Sequence, residues 1–250
     1  MSSTTTEKRL SRRDALRGAG AGAVAATVLA ATPRKASAAA TSKPHFGMVI
    51  DTRRCIGCHS CSVACKAEFD VPLGYTRSWV EFVEKGNYPD VSRSFLPRLC
   101  NHCSDPQCVS VCPTGATWKR EEDGVVVVDA DVCIGCKYCL QACPYDARFI
   151  NPISGSADKC DFCLHRSSKG TAPACVTTCI GRARVFGDLN DPTSEVARLI
   201  SNNNVTVLRQ EMGTKPNVYY ISADHSDEAD ARHSGQYIRV TTHRREKQRR

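Results

Sequence analysis

The sequence predicts an α+β fold made of short strands, small helices and long cysteine-bearing loops. Three observations support this prediction. The sixteen cysteines among the 250 residues fall into four groups of four. Short apolar segments of strand length stand directly before or between these groups. One complete group, together with the residues that lead into it, recurs 78 residues later in the chain.

The central group has the spacing C-x2-C-x2-C-x3-C and is followed by a proline, Pro144. Its members are Cys133, Cys136, Cys139 and Cys143. This is the bacterial ferredoxin pattern, in which three thiolates hold one iron-sulfur cluster and the fourth thiolate binds a different cluster. Gly135 leaves room where the backbone must fold back to point sulfur atoms inward. The group therefore predicts an iron-sulfur centre.

The same spacing occurs 78 residues earlier, and two further groups complete the set. Ile50-Asp51 precedes the earlier copy, as Val128-Asp129 precedes the central one. The earlier copy consists of Cys55, Cys58, Cys61 and Cys65. The remaining groups are Cys100, Cys103, Cys108 and Cys112, and then Cys160, Cys163, Cys175 and Cys179. No cysteine is left over, so the whole set is expected to serve clusters.

Two other uses of cysteine remain open at this point. An even number of cysteines fits a disulfide-stapled secreted protein, although such scaffolds usually have fewer than about 100 residues. The last group, taken alone, also fits a zinc ribbon with four thiolate ligands. The crowding of cysteines in the first three groups favours iron-sulfur clusters over both alternatives.

The net charge of +8 is unevenly distributed. Residues 1–38 and residues 239–250 each carry a net charge of +5, whereas the body between them has 21 basic and 23 acidic side chains. A nearly neutral body argues against nucleic acid as a partner. The basic residues near the cysteines are interpreted as solvated side chains, whose only inferred role is to shift cluster potentials. They are Arg53, Arg54, Lys66, Lys137, Arg148 and Lys159.

Residues 1–38 are predicted to be a twin-arginine export signal. The pair Arg12-Arg13 lies in a basic segment, residues 19–32 are mildly apolar, and Ala36-Ser37-Ala38 resembles a cleavage site. The apolar segment is too short to span a bilayer comfortably, so no span is expected in the mature chain. This route exports folded proteins across the cytoplasmic membrane. We therefore expect the protein in the periplasm or on the outer face of that membrane.

The elements in the first half of the body are predicted in order. A strand begins at about Met48, and a short helix covers residues 62–68. Residues 70–99 form an insertion, whose alternating pattern over residues 79–83 predicts a strand with Trp79 and Phe82 in the core.

The second half of the body contains three further predicted elements. Residues 116–129 predict a hairpin that leads into the central cysteine group. Asp191-Pro192 predicts the start of a helix that runs to about residue 200, and residues 217–221 predict a strand. Residues 223–250 are predicted to be a polar, basic tail.

Side chains around the cysteines receive two further interpretations. Six apolar residues are expected to keep water from the clusters: Ile56, Val109, Val111, Ile134, Leu140 and Phe162. Three histidines within or beside the motifs are interpreted as structural or exposed rather than as partners of cluster sulfur: His59, His102 and His165.

With these motifs placed, residues 46–222 resemble the iron-sulfur (B) subunits of molybdopterin oxidoreductases of the dimethyl-sulfoxide reductase superfamily. Within that superfamily they are most similar to the B subunits of tetrathionate, polysulfide and thiosulfate reductases. The segments that carry the resemblance are residues 96–103, 124–129, 143–151 and 157–163.

The resemblance implies two tandem ferredoxin-like halves related by a pseudo-twofold axis, with four 4Fe-4S clusters. It also implies crossed ligand sets, in which each cluster takes three cysteines from one group and one from another. Ligand set 1 is Cys55, Cys58, Cys61 and Cys179, and set 2 is Cys65, Cys160, Cys163 and Cys175. Set 3 is Cys100, Cys103, Cys108 and Cys143, and set 4 is Cys112, Cys133, Cys136 and Cys139.

The resemblance further implies a non-catalytic electron-transfer subunit. Its expected partners are a molybdopterin catalytic subunit and a quinone-reactive integral-membrane subunit. The residues themselves give no sign of a catalytic site, because the sequence has neither a phosphate-binding glycine loop nor a nucleophile with a recognisable base. A free-standing exported polyferredoxin with soluble partners is the alternative function.

Overall fold

The structure is a computed structural model that describes residues 43–223 and the backbone of residues 235–238. The predicted export signal lies outside the described residues, and so does most of the predicted C-terminal tail. Among the helices of the described part, none combines the length and the apolar character that crossing a bilayer requires.

The described residues form a small mixed fold of short strands and small helices, as the sequence predicts. The strands are β1 (Phe46–Asp51), β2 (Ser78–Asn87), β3 (Asp90–Leu99), β4 (Thr117–Lys119), β5 (Val126–Val128), β6 (Phe149–Ile150), β7 (Ala157–Asp158), β8 (Arg184–Asp188), β9 (Val205–Thr206), β10 (Val218–Ile221) and β11 (Gly235–Ile238). The α-helices are α1 (Ser60–Glu68), α2 (Gln107–Ser110), α3 (Tyr138–Gln141), α4 (Leu164–Ser167), α5 (Ala174–Thr177) and α6 (Glu195–Asn202).

Strand β1 lies inside a four-stranded sheet with the order β8-β1-β10-β9. It pairs antiparallel with β8 and parallel with β10. Alternate residues of a strand point to opposite faces. Met48 and Ile50 therefore enter the main core, whereas Val49 packs in a second core with Val196 of helix α6. This burial on both faces explains the continuous apolar run that precedes the first cysteine group.

The main core is built around cysteine as well as around aliphatic and aromatic side chains. Its buried members include four cysteines: Cys61, Cys100, Cys160 and Cys175. Because these thiols lie within the core, we expect cluster insertion and folding to be energetically coupled.

The insertion forms a long antiparallel hairpin, in which β2 and β3 pair along their whole length. This confirms the strand predicted over residues 79–83 and extends it in both directions. Trp79 is buried, as predicted. Phe82 is only half-buried, and its ring packs against His59 and Phe95.

The predicted start of helix α6 is wrong by three residues. The helix begins at Glu195, because Ser194 is its N-cap and accepts a hydrogen bond from the N–H of Ala197 at 3.1 Å. Asp191 instead accepts a hydrogen bond from the N–H of Thr193 and closes the preceding turn. The predicted hairpin near the central cysteine group is confirmed as β4 and β5.

Part of the C-terminal segment predicted as a tail forms secondary structure. Residues Gly235–Ile238 form strand β11, which pairs antiparallel with β2. The three-stranded sheet therefore has the order β11-β2-β3. Residues 224–234 and 239–250 lie outside the described part of the chain.

The hairpin contains a buried ion pair that ties it to a cysteine loop. Glu81 and Arg98 are 0% and 4% exposed, and Nη1 of Arg98 donates to Oε2 of Glu81 at 3.0 Å. Nε1 of Trp79 also donates to this carboxylate, at 3.0 Å. Nη2 of Arg98 donates to the carbonyl of Tyr145 at 3.1 Å, directly after the central cysteine group. The pair therefore holds the loop of Cys143 against the insertion.

Replacing Glu81 with Ala should destabilise the protein strongly, because it removes the carboxylate that compensates the buried charge of Arg98. Breaking a buried pair in this way typically costs about 3–5 kcal/mol. The thermal unfolding midpoint, measured without air, should therefore fall clearly. The matched control is Glu84→Ala on the same strand, where the partner Arg93 is largely exposed and the cost should stay below about 1 kcal/mol. Equal losses in the two variants would contradict the role assigned to the buried pair.

Candidate metal centres

The two copies of the cysteine repeat, which lie 78 residues apart, share an unusual backbone conformation at two equivalent positions. Gly57 and Gly135 both have a φ of 69°, in the left-handed region that favours glycine. Two residues later, His59 and Lys137 are also left-handed, with φ of 59° and 69°. Both turns lead into a helix, α1 or α3, that carries the third cysteine of its group. The sequence repeat is therefore a repeat of local geometry.

An aspartate opens each copy of this turn. Oδ1 of Asp51 accepts a hydrogen bond from the N–H of Arg53 at 3.1 Å. Oδ1 of Asp129 accepts the equivalent bond from the N–H of Asp131 at 2.9 Å. Such bonds close a turn locally. The aspartates that precede both groups in the sequence thus direct the chain from a strand into the cysteine loop.

The glycines are required by space as well as by backbone angle. A Cβ on Gly135 would lie 2.6 Å from the carbonyl oxygen of Gly155, and a Cβ on Gly57 would lie 2.5 Å from the ring of Phe95. Both distances are shorter than ordinary van der Waals contacts. Any other residue at either position would push the cysteine loop away from its neighbour.

Two cavities are each lined by four cysteines. The first is lined by Cys100, Cys103, Cys108 and Cys143. The second is lined by Cys112, Cys133, Cys136 and Cys139. In each cavity three cysteines come from one group and the fourth comes from another, which is the crossed arrangement that the resemblance implies for ligand sets 3 and 4.

Three cysteines of ligand set 1 interact electrostatically. Burial raises the pKa of Cys55, and the negative charges of Cys61 and Cys179 raise this pKa further. Cys58 is exposed, and hydrogen bonds with Ser60 at the start of α1 lower its pKa. The structure therefore brings Cys179, from the last group, to the loop of the first group.

The four cysteines of ligand set 2 are all buried. Burial raises the pKa of Cys65 to about 12, and the nearby charges of Cys175 and Cys163 contribute to the shift. Burial also raises the pKa of Cys160, and the nearby charges of Cys65 and Cys175 raise this pKa further. Cys65 thus lies among cysteines that follow it by many residues in the sequence.

The cysteine sites fit an iron-sulfur cluster on chemical grounds. Burial raises the pKa of Cys103 to about 12 and that of Cys143 to about 11, and the charge of Cys100 contributes to both shifts. Cysteine thiols bind metal only after they lose their protons and become thiolates. Several buried thiolates in one cavity repel each other unless positive charge lies between them, and the iron atoms of a cluster supply it.

Backbone N–H groups point at several of the sulfur atoms. The N–H of Ala157 donates to Sγ of Cys133 at 3.3 Å, and the N–H of Ala183 donates to Sγ of Cys179 at 3.2 Å. Hydrogen bonds of this kind favour the thiolate and influence the reduction potential of a bound cluster.

The interpretation of the nearby basic residues as solvated is wrong for two of the six. Arg148 and Lys159 are only 7% and 3% exposed. Nη2 of Arg148 donates to Sγ of Cys108 at 3.0 Å, and Nζ of Lys159 donates to two backbone carbonyls. Lys66 is half-buried and donates to three backbone carbonyls. The other three, Arg53, Arg54 and Lys137, are exposed as interpreted.

Sequence reasoning missed a further buried cation, Arg184, which is 2% exposed. Burial alone would lower the pKa of Arg184, but the thiolates of Cys61 and Cys175 outweigh burial and raise it. A signal for this residue exists in the sequence, because Arg184 follows a cysteine by five residues, as Arg148 does.

Shielding of the clusters by apolar residues is only partly as predicted. Phe162 is fully buried, and two of the other five residues are half-buried. However, Ile56 and Ile134 are 59% and 69% exposed, and Val111 is 38% exposed. Each isoleucine stands between two cysteines of its group, and one of those cysteines, Cys58 or Cys136, is itself exposed.

The histidines beside the motifs have structural positions, as interpreted. His102 is fully buried, its Nδ1 accepts a hydrogen bond from a backbone N–H, and its ring stacks on Phe162 at a centroid distance of 3.8 Å. His165 contacts the carboxylate of Glu68 at 2.6 Å. His59 directly precedes helix α1.

Three observations bear on the alternatives of disulfides and zinc. All sixteen cysteines lie in the described part of the chain, and all are free rather than paired in disulfides. Within residues 43–223, no group of three or more His, Cys, Asp or Glu side chains is arranged to hold a single metal ion. Cysteines of the last group interact electrostatically with cysteines of the first group, Cys179 with Cys55 and Cys175 with Cys65. A zinc ribbon would take its four ligands from the last group alone.

Comparison with known proteins points to the same kind of centre. Residues 91–189 match the family described as a 4Fe-4S dicluster domain. The B subunit of tetrathionate reductase from Salmonella typhimurium is 50% identical over 183 residues, which cover 72% of this chain and 73% of the relative. The B subunit of selenate reductase from Mesobacillus selenatarsenatis is 44% identical over 208 residues, 70% of this chain and 71% of the relative.

A relative from an archaeon extends this range. The putative iron-sulfur B subunit of dimethyl sulfoxide reductase from Halobacterium salinarum is 40% identical over 214 residues, which cover 73% of this chain and 80% of the relative. The three relatives are named as subunits of reductases with different substrates. The similarity therefore concerns the type of subunit more than any one substrate.

Replacing Gly135 with Ala should lower the iron and acid-labile sulfide bound per chain, because the new Cβ would collide with the backbone at Gly155 and displace the loop of ligand set 4. The matched control is Gly170→Ala, which also has positive φ but has no atom within 4 Å of the added Cβ. This control separates backbone strain from displacement of the loop. Full iron content in Gly135→Ala, or equal loss in both variants, would contradict the role assigned to Gly135.

Proposed function

The chain belongs to the family of iron-sulfur B subunits of tetrathionate, selenate and dimethyl sulfoxide reductase type complexes, and we propose that it relays electrons through four 4Fe-4S clusters. Its partners would be a molybdopterin catalytic subunit and a quinone-reactive membrane subunit. The chain itself would carry out no catalytic step.

The main support for this proposal is that two cavities are each lined by four cysteines from two separate groups. Together with the electrostatic contacts in sets 1 and 2, this arrangement supports all four crossed ligand sets. A bound 4Fe-4S cluster accepts and releases one electron at a time. The protein contributes thiolates, hydrogen-bond donors and a largely buried surrounding that holds them in place.

Interactions between the ligand sets support an electron path through the protein. Cys61 of set 1 adds to the negative charge around Cys175 of set 2. Cys100 of set 3 does the same for Cys160 of set 2. Arg148 interacts with cysteines of both set 3 and set 4. These electrostatic interactions favour a spatial order in which set 1 is followed by sets 2, 3 and 4.

Solvent exposure favours sets 1 and 4 as the ends of this path. Set 1 contains the exposed Cys58 and set 4 contains the exposed Cys136, whereas every cysteine of set 2 is buried. Ile56 and Ile180 beside set 1, and Ile134 beside set 4, are 59%, 72% and 69% exposed. Electron transfer between subunits requires close approach, so we propose that partner subunits cover these two regions.

The two cysteine-bearing repeats also support the proposed pair of ferredoxin-like halves. The segment Pro106 to Cys112 is repeated as Pro173 to Cys179, with a proline before a four-residue helix and cysteines at the same two positions. The first and central groups share their own repeat. The four groups thus represent two copies each of two local structures.

Replacing Cys139 with Ala should remove or convert one cluster only, because Cys139 is buried in the cavity of set 4. Iron should fall from about sixteen atoms per chain by up to about four, since each cluster contains four. Tyr138→Ala is the matched control, because this neighbour on helix α3 is 57% exposed and lines neither cysteine cavity. Unchanged iron content and an unchanged electron paramagnetic resonance spectrum would contradict the ligand role of Cys139.

Replacing both Arg12 and Arg13 with Lys should retain the protein in the cytoplasm, whereas Arg17→Lys in the same basic segment should not. The unmodified chain, isolated from the membrane and periplasmic fractions, should copurify with a large molybdenum protein and a membrane protein. Recovery of a cluster-loaded chain without either protein would favour the free-standing polyferredoxin. Export of the double variant would contradict the proposed signal.

A further inference from the structure

Two buried arginines occupy equivalent positions next to the cysteine groups. Arg148 follows Cys143 by five residues, and Arg184 follows Cys179 by five residues. An alanine precedes both arginines. Cys143 and Cys179 are the fourth cysteines of their groups, and each crosses to complete another ligand set. The two arginines are thus related by position as well as by type.

Arg148 lies between ligand sets 3 and 4. Its Nη2 donates to Sγ of Cys108 at 3.0 Å, and its Nη1 donates to Oγ1 of Thr117 at 3.0 Å. The charged guanidinium is also stabilised by the thiolate of Cys139, which belongs to set 4. The side chain lines the cavity of set 3. Among the described residues, its hydrogen-bond partners include no carboxylate.

Arg184 has the corresponding position between sets 1 and 2. Nη1 and Nη2 are buried, and neither has an oxygen or nitrogen acceptor among the described residues. The thiolates of Cys61, from set 1, and of Cys175, from set 2, stabilise its charge. Arg184 is the first residue of strand β8, where it pairs with Ile50 of β1. The sheet therefore fixes where this cation lies.

A buried guanidinium without a carboxylate is strongly unfavourable unless other negative charge compensates it. Arginine does not lose its proton in proteins, so both cations persist in the core. In the described part, cysteine thiolates are the negative groups that face both arginines, and Tyr220 adds to them at Arg184. Each arginine is shared between two ligand sets, rather than being bound to one.

We propose that Arg184 and Arg148 set the reduction potentials of the paired clusters, Arg184 for sets 1 and 2 and Arg148 for sets 3 and 4. This inference rests on the proposed function. A cluster gains one electron and one negative charge when it is reduced, and the arginine takes up neither an electron nor a proton. A fixed positive charge stabilises the reduced form more than the oxidised form, so each arginine raises the potentials of its own pair.

The test is a redox titration of the anaerobically purified full chain, monitored by electron paramagnetic resonance, for Arg184→Gln and Arg148→Gln. Each variant should lower the potentials of two clusters and leave the other two unchanged, and the two variants should affect different pairs. We expect at least a tenfold fall in the ratio of reduced to oxidised cluster at a fixed potential, which corresponds to about 59 mV for one electron.

Matched controls separate buried charge from other effects. Arg182→Gln and Lys137→Gln remove the same charge at exposed positions close to the same cysteines, and both should shift the potentials much less than the buried variants do. Arg184→Lys and Arg148→Lys retain the charge and should retain most of the potential. Iron and acid-labile sulfide content, measured on every sample, tests the proposed function separately from the role of the arginines.

Unchanged potentials in fully loaded Gln variants would overturn the inference while leaving the proposed function intact. Equal shifts in the exposed controls would overturn it as well. If a Gln variant fails to assemble its clusters, the Lys variant decides. Normal potentials in the Lys variant would support the role of charge, whereas loss of clusters in Gln and Lys variants alike would overturn it, because the shape of the guanidinium would then be what matters.

Discussion

The compensation of buried thiolate charge is the constraint on which the structure depends. Cysteines from all four groups enter the main core or its edge, and several of their thiols would resist ionisation there because burial raises their pKa values. Metal binding requires thiolates, so positive charge must lie among them. We propose that iron supplies most of it, and that Arg148 and Arg184 add fixed charge, each beside two of the proposed ligand sets.

The crossed ligand sets that we propose would explain why the elements near the cysteines are short. Each group of cysteines would have to reach two places, so the chain leaves a strand, turns sharply, forms a helix of one or two turns and then turns away again. Gly57 and Gly135 allow the sharp turn, while Asp51 and Asp129 direct the chain into it. The sheet around β1 and the hairpin of β2 and β3 provide the framework, and the pair of Glu81 and Arg98 connects that framework to a cysteine loop.

Features that depend on local geometry could be predicted from the sequence. The spacing of the cysteines, the repeated aspartate and glycine, and the hairpin before Cys133 each reflect constraints over a few residues. Features that depend on distant contacts could not be predicted in this way. Arg184 is buried because β8 pairs with β1, and Ile56 is exposed although it lies between two cysteines of the first group. Helix α6 begins after Ser194 rather than at Asp191, since both residues are acceptable caps and the local turn selects one.

The central claim is that sixteen thiolates hold four clusters that accept electrons one at a time. Stepwise addition of a reductant to the full chain, purified without air and followed by its visible absorbance, tests this claim most directly. We expect a brown protein that takes up four electrons per chain reversibly, one for each ligand set. A colourless protein, or one that takes up no electrons, would contradict the claim.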